Sequence, residues 1–153
     1  MVPGTIVAPT LPICESLFNY GSHMANRNLD ILINHTKYAW FVFVMKLTGL
    51  LPDWQPIMRL RGFLTRPLLK ECGRNFQICS QSVIIGIQNL SVGNDVYIAH
   101  GCWIGASGGI VLDDEVMLGP YTVIVTGNHT LNNGSYRFGS AERLPIFIGR
   151  GSW

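Results

Sequence analysis

From Val92 onward aliphatic residues return at every sixth position, most of them followed by a small one: Val92-Gly93, Ile98-Ala99 and Ile104-Gly105. After a two-residue slip the rhythm resumes at Leu112, Leu118 and Ile124, and it reappears at Ile148-Gly149. A helical face repeats at 3.6 residues and a half-buried strand at 2, so neither produces a six. A chain that turns a corner every six residues and stacks turn upon turn does. Four residues beyond each aliphatic position stand Val96, Cys102, Gly108, Val116, Thr122, Asn128 and Ser152, mostly small or β-branched and suited to a narrow interior near a corner. Between them lie Asn94-Asp95, His100-Gly101, Asp114-Glu115, Pro120-Tyr121 and Arg150-Gly151, pairs rich in residues that accept turn conformations. The spacing predicts a parallel β-helix with three faces to a coil, stacking Val92 on Leu112, Ile98 on Leu118 and Ile104 on Ile124. An ordinary sandwich would have to reach the same spacing by coincidence.

The first half of the chain has no such period. Residues 1–24 mix Pro, Gly and small residues, and residues 1–37 read as a poorly ordered N-terminal extension. Gly21-Ser22-His23-Met24 matches a common cloning scar, although a scar normally opens a chain. Tyr38 to Leu51 is an apolar run interrupted by Lys46, too short and too charged to span a bilayer. After Pro52 a basic amphipathic piece sets Arg59, Arg61, Arg66, Lys70 and Arg74 among Ile57, Leu60, Phe63, Leu64, Leu68 and Leu69. Two readings of residues 38–75 stand side by side: a helical cap on the open end of the stack, which repeat folds require, or an interfacial membrane anchor. Residues 76–153 form the repeat domain.

Composition narrows the field. A chain of 153 residues accommodates one domain with an appendage and a sizeable core. Charged residues make up 13% and the net charge is +2, so nothing demands nucleic acid as a partner. Cys14, Cys72, Cys79 and Cys102 form no Cys-x-x-Cys pair, and Cys102 falls on an inward position, which suits structural thiols in a reducing compartment. Tripeptides beginning at Asn34, Asn89, Asn128 and Asn133 match glycosylation acceptors, a pattern that chance produces often.

From Thr130 to Phe147 the chain leaves the rhythm for 18 residues rich in Asn, Gly, Ser and Tyr, then returns at Ile148. A long insertion from one corner of a regular scaffold is more often a binding loop than slack. Register places His129 at the corner closing the last regular hexad, beneath Gly108-Gly109-Ile110-Val111. A histidine there can take a proton from a hydroxyl near neutral pH. It can equally fix the loop through hydrogen bonds, and the residues alone leave both roles open.

The repeats, together with Val125-Thr126-Gly127-Asn128-His129-Thr130 ahead of a long excursion, resemble the hexapeptide-repeat acyltransferases and in particular their sugar O-acetyltransferase branch. The stretch from Leu60-Arg61-Gly62-Phe63 through Cys72-Gly73-Arg74-Asn75-Phe76-Gln77-Ile78 is similar to the lead-in of polysaccharide-biosynthesis members, so the resemblance covers roughly residues 38 to 153. It implies an all-β fold, a left-handed parallel β-helix with a short helical N-terminal cap. Handedness comes from the resemblance alone, because crossovers between parallel strands are otherwise nearly always right-handed.

The resemblance also implies chemistry. His129 would be the base that deprotonates a sugar hydroxyl, acetyl-CoA the acyl donor, and backbone N–H groups near the loop the oxyanion stabilisers, with no metal. Candidate acceptor contacts are Asn128, Ser107, His100, Tyr136 and Arg137; candidate acetyl-CoA contacts are Trp153, which matches a tryptophan lining that site in relatives, and Ser152. Ala99 and Ser107 stand where maltose and galactoside acetyltransferases carry Asn and Asp, which turns the expectation from those acceptors towards a polysaccharide sugar. A zinc hydratase of the carbonic anhydrase kind needs three histidines, and His129 has none close downstream. Serine acetyltransferase needs a long helical N-terminal domain that the sequence does not make evident. Relatives continue for about two further coils that complete the CoA cleft, so the resemblance implies a truncated or split enzyme, or a non-catalytic remnant, binding acetyl-CoA poorly by itself. Expected partners are a sugar or lipid-linked sugar and two further copies in a homotrimer, without nucleic acid, with a peripheral membrane contact left open. The expected location is the cytoplasm, with a place at the inner face of the membrane left open.

Overall fold

The computed structural model describes the backbone of residues 13–153 and the side chains from Asn28 onward. Helix α1 spans Ile13–Thr48 and α2 spans Gln55–Thr65, followed by a 3-10 turn at Arg66–Leu68. Of the expected extension over residues 1–37, residues 1–12 lie outside the described part, and from Ile13 the backbone is helical. By its contacts the chain divides between Ile33 and Asn34, and the second unit, Asn34–Trp153, holds all the strands of the described residues.

In that unit α1 turns Phe41, Val44, Met45 and Thr48 inward, three or four residues apart as one helical face requires. Helix α2 starts after Trp54, whose extended backbone breaks the helix, with Pro56 in the first turn, where its missing N–H leaves no intrahelical bond unmade. Gly62 lets α2 lie against the backbone: a Cβ there would overlap the Phe76 carbonyl oxygen and stand 2.8 Å from its carbon. The strands follow as β1 (Glu71–Cys72), β2 (Gln77–Ile78), β3 (Val83–Ile85), β4 (Leu90–Val92), β5 (Tyr97–Ile98) and β6 (Trp103–Gly105). Then come β7 (Ile110–Leu112), β8 (Met117–Leu118), β9 (Val123–Val125), β10 (Gly127–His129), β11 (Ala141–Arg143) and β12 (Ile146–Ile148).

Three parallel sheets result, β1-β4-β7-β12, β2-β5-β8 and β3-β6-β9, and β10 pairs antiparallel with β11. Within the regular part each strand lies beside the one twenty residues on: Val92 opposite Leu112, Ile98 opposite Leu118 and Ile104 opposite Ile124, the pairs that the hexad spacing predicts. Corners repeat at the same interval. Asn75, Asp95 and Glu115 hold φ of 55°, 58° and 63°, and Gln81, Gly101 and Tyr121 hold 60°, 71° and 58°. Asp95, Gly101, Glu115 and Tyr121 are the second members of the predicted turn pairs, each in the left-handed region that lets the chain turn. Inside run columns of buried aliphatics, Ile78-Ile98-Leu118, Leu90-Ile110 and Val96-Val116, each side chain contributing about 1.5–3 kcal/mol by burial.

The fold class nevertheless departs from the expectation. The chain is mixed α/β, not an all-β left-handed parallel β-helix with a short cap: among the described residues two helices, of 36 and 11 residues, accompany strands of two or three residues in sheets of two to four. The helices are not an accessory to the stack, because Phe41 and Met45 of α1 belong to the same buried cluster as Ile78, Ile84 and Ile98. Hexad spacing marks the inward positions of the strands and is silent about the helical half that shares their core.

Candidate active site

Regular stacking ends at Thr126. Its amide N–H and its hydroxyl both donate to the Gly105 carbonyl, at 3.0 and 2.8 Å, and the hydroxyl oxygen accepts the Gly108 N–H at 2.8 Å. The chain then peels away as β10, pairing Gly127 with Arg143, Asn128 with Glu142 and His129 with Ala141. Beyond the hairpin it rejoins the stack at Ile146, opposite Ile110, thirty-six residues on instead of twenty. Two details of the expected register change. Re-entry comes at Ile146, before Ile148, and the neighbour of Gly108 is Leu144, whose carbonyl oxygen would stand 2.9 Å from a Cβ added there, so His129 does not lie beneath Gly108–Val111. The antiparallel pairing meets the backbone demands of residues 127–129 locally and removes any need for them to follow the stack.

At the hairpin root Val125–Asn128 and Leu144–Ile146, with Glu142, border a cleft of ≈ 230 Å³. Ser107 stands beside it, its hydroxyl 3.5 Å from that of Thr126. Asn128 and Glu142 are cross-strand partners in the wall of this cleft, and His129 follows on the other face of β10 by strand alternation. The His129 residue is exposed, and its ring has no hydrogen-bond or ion-pair partner among the described residues. Closure of the excursion falls instead to Thr130, whose amide N–H and hydroxyl both donate to the Ser140 carbonyl, at 2.9 and 3.0 Å.

The remaining candidates lie elsewhere. Tyr136 and Arg137 are exposed at the far end of the excursion, past the Asn132–Ser135 bridge, where the Arg137 N–H donates to the Ser135 hydroxyl at 3.3 Å. Ser152 is held at the last corner by its hydroxyl on the Gly149 carbonyl at 2.7 Å, and its own carbonyl accepts the Met117 N–H, so Trp153 leaves from beside β8, 93% exposed.

His100 belongs to a separate cluster that sequence reasoning missed. Its Nδ1 lies 3.4 Å from Asp53 Oδ2 and 3.4 Å from the Ser80 hydroxyl, and its ring meets Tyr121 edge-on at 5.9 Å. Asp53 also accepts the Ser80 N–H at 2.9 Å and the Ser80 hydroxyl at 3.0 Å, and it pairs with Arg61. Arg61 is fully buried, donating from Nε to the Thr48 hydroxyl at 3.0 Å and from its second terminal nitrogen to the Thr48 and Leu51 carbonyls. Partial burial works against ionisation of Asp53, but the Ser80 N–H, the Arg61 guanidinium and the Ser80 hydroxyl outweigh it and hold the carboxyl below its usual range. With its proton on Nδ1 facing the carboxylate, His100 would keep Nε2 as an acceptor. No local signal pairs Asp53 with His100, because forty-seven residues separate them.

Cys79 and Cys102 are buried and Cys72 half-buried, all unpaired, and burial pushes all three thiols up. Among the described residues no three His, Cys, Asp or Glu side chains converge as a metal site, and no helix is long and apolar enough to cross a membrane. The chain matches no protein-family model, no curated protein and no solved structure.

Proposed function

We propose that this protein is an acetyl-CoA-dependent O-acyltransferase of the hexapeptide-repeat family that acetylates a sugar hydroxyl in polysaccharide biosynthesis, with His129 as general base. The observation that carries the reading is the state of His129: it stands exposed at the root of a hairpin, its ring engaged in no structural bond, while Thr130 closes the loop. A histidine needed only to fix the excursion would be expected in that bonding. In the proposed step the His129 imidazole takes the acceptor hydroxyl's proton as the oxygen attacks the thioester carbonyl. The C–S bond then breaks, and the imidazolium returns the proton to the departing thiolate. Asn128 and Ser107, beside the hairpin-root cleft, are the proposed acceptor contacts within one chain; Tyr136, Arg137 and His100 for the acceptor, and Ser152 and Trp153 for acetyl-CoA, are proposed to reach the site from a neighbouring copy. The same reading takes a lipid-linked sugar as acceptor, a homotrimer as the working assembly and the cytoplasmic side of the membrane as its place, where acetyl-CoA is available.

The test is the rate of thioester loss at millimolar acetyl-CoA with a panel of sugar acceptors. His129→Ala and His129→Gln should each lower the rate by about 10²–10⁴-fold with circular dichroism unchanged. A variant that keeps a tenth of the rate removes His129 as the base, and wild-type protein no faster than buffer removes the reading altogether.

A further inference from the structure

The helical end of the second unit carries an apolar face that its own core leaves uncovered. Trp40 and Phe43 on α1 are 46% and 55% exposed and Phe63 on α2 is 69% exposed, with Leu47 and Leu60 also open to solvent. Helical spacing explains the arrangement: Phe41, Val44, Met45 and Thr48 take the inward side of α1, leaving Trp40, Phe43 and Leu47 at i, i+3 and i+7 on the outward one. The aromatic residues form one surface. The Trp40 indole N–H donates to the Leu64 carbonyl at 3.2 Å, and the Trp40 and Phe43 ring centroids are 5.7 Å apart. Trp40, Phe63, Leu64 and Leu68 line one groove of ≈ 520 Å³, with Lys37 and Arg66 also in its wall. Scattered apolar side chains on a surface are ordinary; a contiguous aromatic patch marks a contact.

Charge decides what the contact is with. Between Asn34 and Lys70 the cations are Lys37, Lys46, Arg59, Arg61, Arg66 and Lys70, and the one carboxylate is Asp53. Asp53 is taken by Arg61, which is buried, and Glu71 follows Lys70 directly, so Lys37, Lys46, Arg59 and Arg66, all at least partly exposed, are the cations left without an ion-pair partner among the described residues. A second copy is a poor occupant, because two-fold pairing sets the same patch against itself and brings like cations together. We propose that this face docks on an anionic membrane surface, with Trp40, Phe43 and Phe63 at the headgroup boundary and Lys37, Arg59 and Arg66 against lipid phosphates. The contact is interfacial, since no described helix can cross a bilayer. It stands independently of acyl transfer, resting on the helical face alone.

Cosedimentation of the intact chain with vesicles of phosphatidylcholine alone, or with one-third phosphatidylserine, tests the proposal. Binding to the anionic vesicles should be at least ~10-fold tighter than to the neutral ones at low salt and should fall at least ~10-fold as salt rises to about 0.5 M. Replacing Arg59→Gln together with Arg66→Gln should weaken binding by roughly fivefold per cation. The pair Phe43→Ser and Phe63→Ser should weaken it at least as much, with thermal unfolding recorded to confirm that each variant folds. Wild-type protein left in the supernatant with anionic vesicles at low salt overturns the proposal, as does equal binding to both vesicle types. So does a wild-type dimer in light scattering that the Phe43→Ser, Phe63→Ser variant breaks, which would make the face an interface between copies.

Discussion

Replacing Gly62 by alanine sets two physical effects against each other, and the structure says which wins. Gly62 lies inside α2, where alanine is intrinsically favoured over glycine by about 1 kcal/mol. The added Cβ, however, would overlap the Phe76 carbonyl oxygen and stand 2.8 Å from the Phe76 carbonyl carbon and 3.3 Å from its Cδ1. That carbonyl cannot give way cheaply, because Phe76 leads directly into β2, whose Gln77 and Ile78 are in register with Tyr97 and Ile98. The helix must therefore move, and Arg61 moves with it, loosening its bonds to Thr48 and Leu51. Overpacking of this kind costs about 1–3 kcal/mol or more. Against a rigid backbone neighbour the upper end applies, so a net loss of about 2 kcal/mol should remain after the helical gain. Urea unfolding followed by circular dichroism measures it as a lower midpoint at unchanged slope. A midpoint equal to or above wild type would show that α2 is not seated on the Phe76 backbone, and the packing described for the helical half would fail with it.

Arg61→Met should destabilise the chain by about 2–3 kcal/mol in the same assay, because it leaves the Thr48 and Leu51 carbonyls without their buried donor and Asp53 without its cation; a loss under about 1 kcal/mol would mean the pair is incidental. Asp53 sets a pH dependence: its carboxyl is held below its usual range in the folded chain, so the stability it lends is present above the unfolded value near 3.9 and disappears as pH falls through the lower folded one. Unfolding midpoints should drop below about pH 4 and Asp53→Asn should flatten that drop; an unchanged profile would refute it. Cys79 and Cys102, buried with raised pKa values, should resist a thiol reagent that reaches them once urea unfolds the chain, and fast labelling of both in native protein would contradict the core assignment.

What could be read from the sequence follows from how often a signal repeats. Ile98 and Leu118, or Asp95 and Glu115, occupy equivalent places in successive turns, so inward positions and corners alike were visible as a period. The helical half has no such repetition. Helix α1 is apolar on two sides, Phe41 and Val44 inward and Trp40 and Phe43 outward, which leaves no polar stripe to show a face. Arg61 reads as one more surface cation until Thr48 at the end of α1 and Leu51 and Asp53 from the connection before α2 close around it. At the candidate site His129 was found by its place at the root of the excursion, yet its surroundings were not, because Ala141-Glu142-Arg143 is exposed and polar and carries no strand signal.

The proposed transfer of an acetyl group to a sugar with His129 as base is put to the test by mass spectrometry of the acceptor after incubation with acetyl-CoA. The wild-type chain should form an O-acetylated sugar mole for mole with free CoA thiol, and His129→Ala should give no such product above background. Thiol released without acetylated sugar, or the same product from His129→Ala, would contradict it.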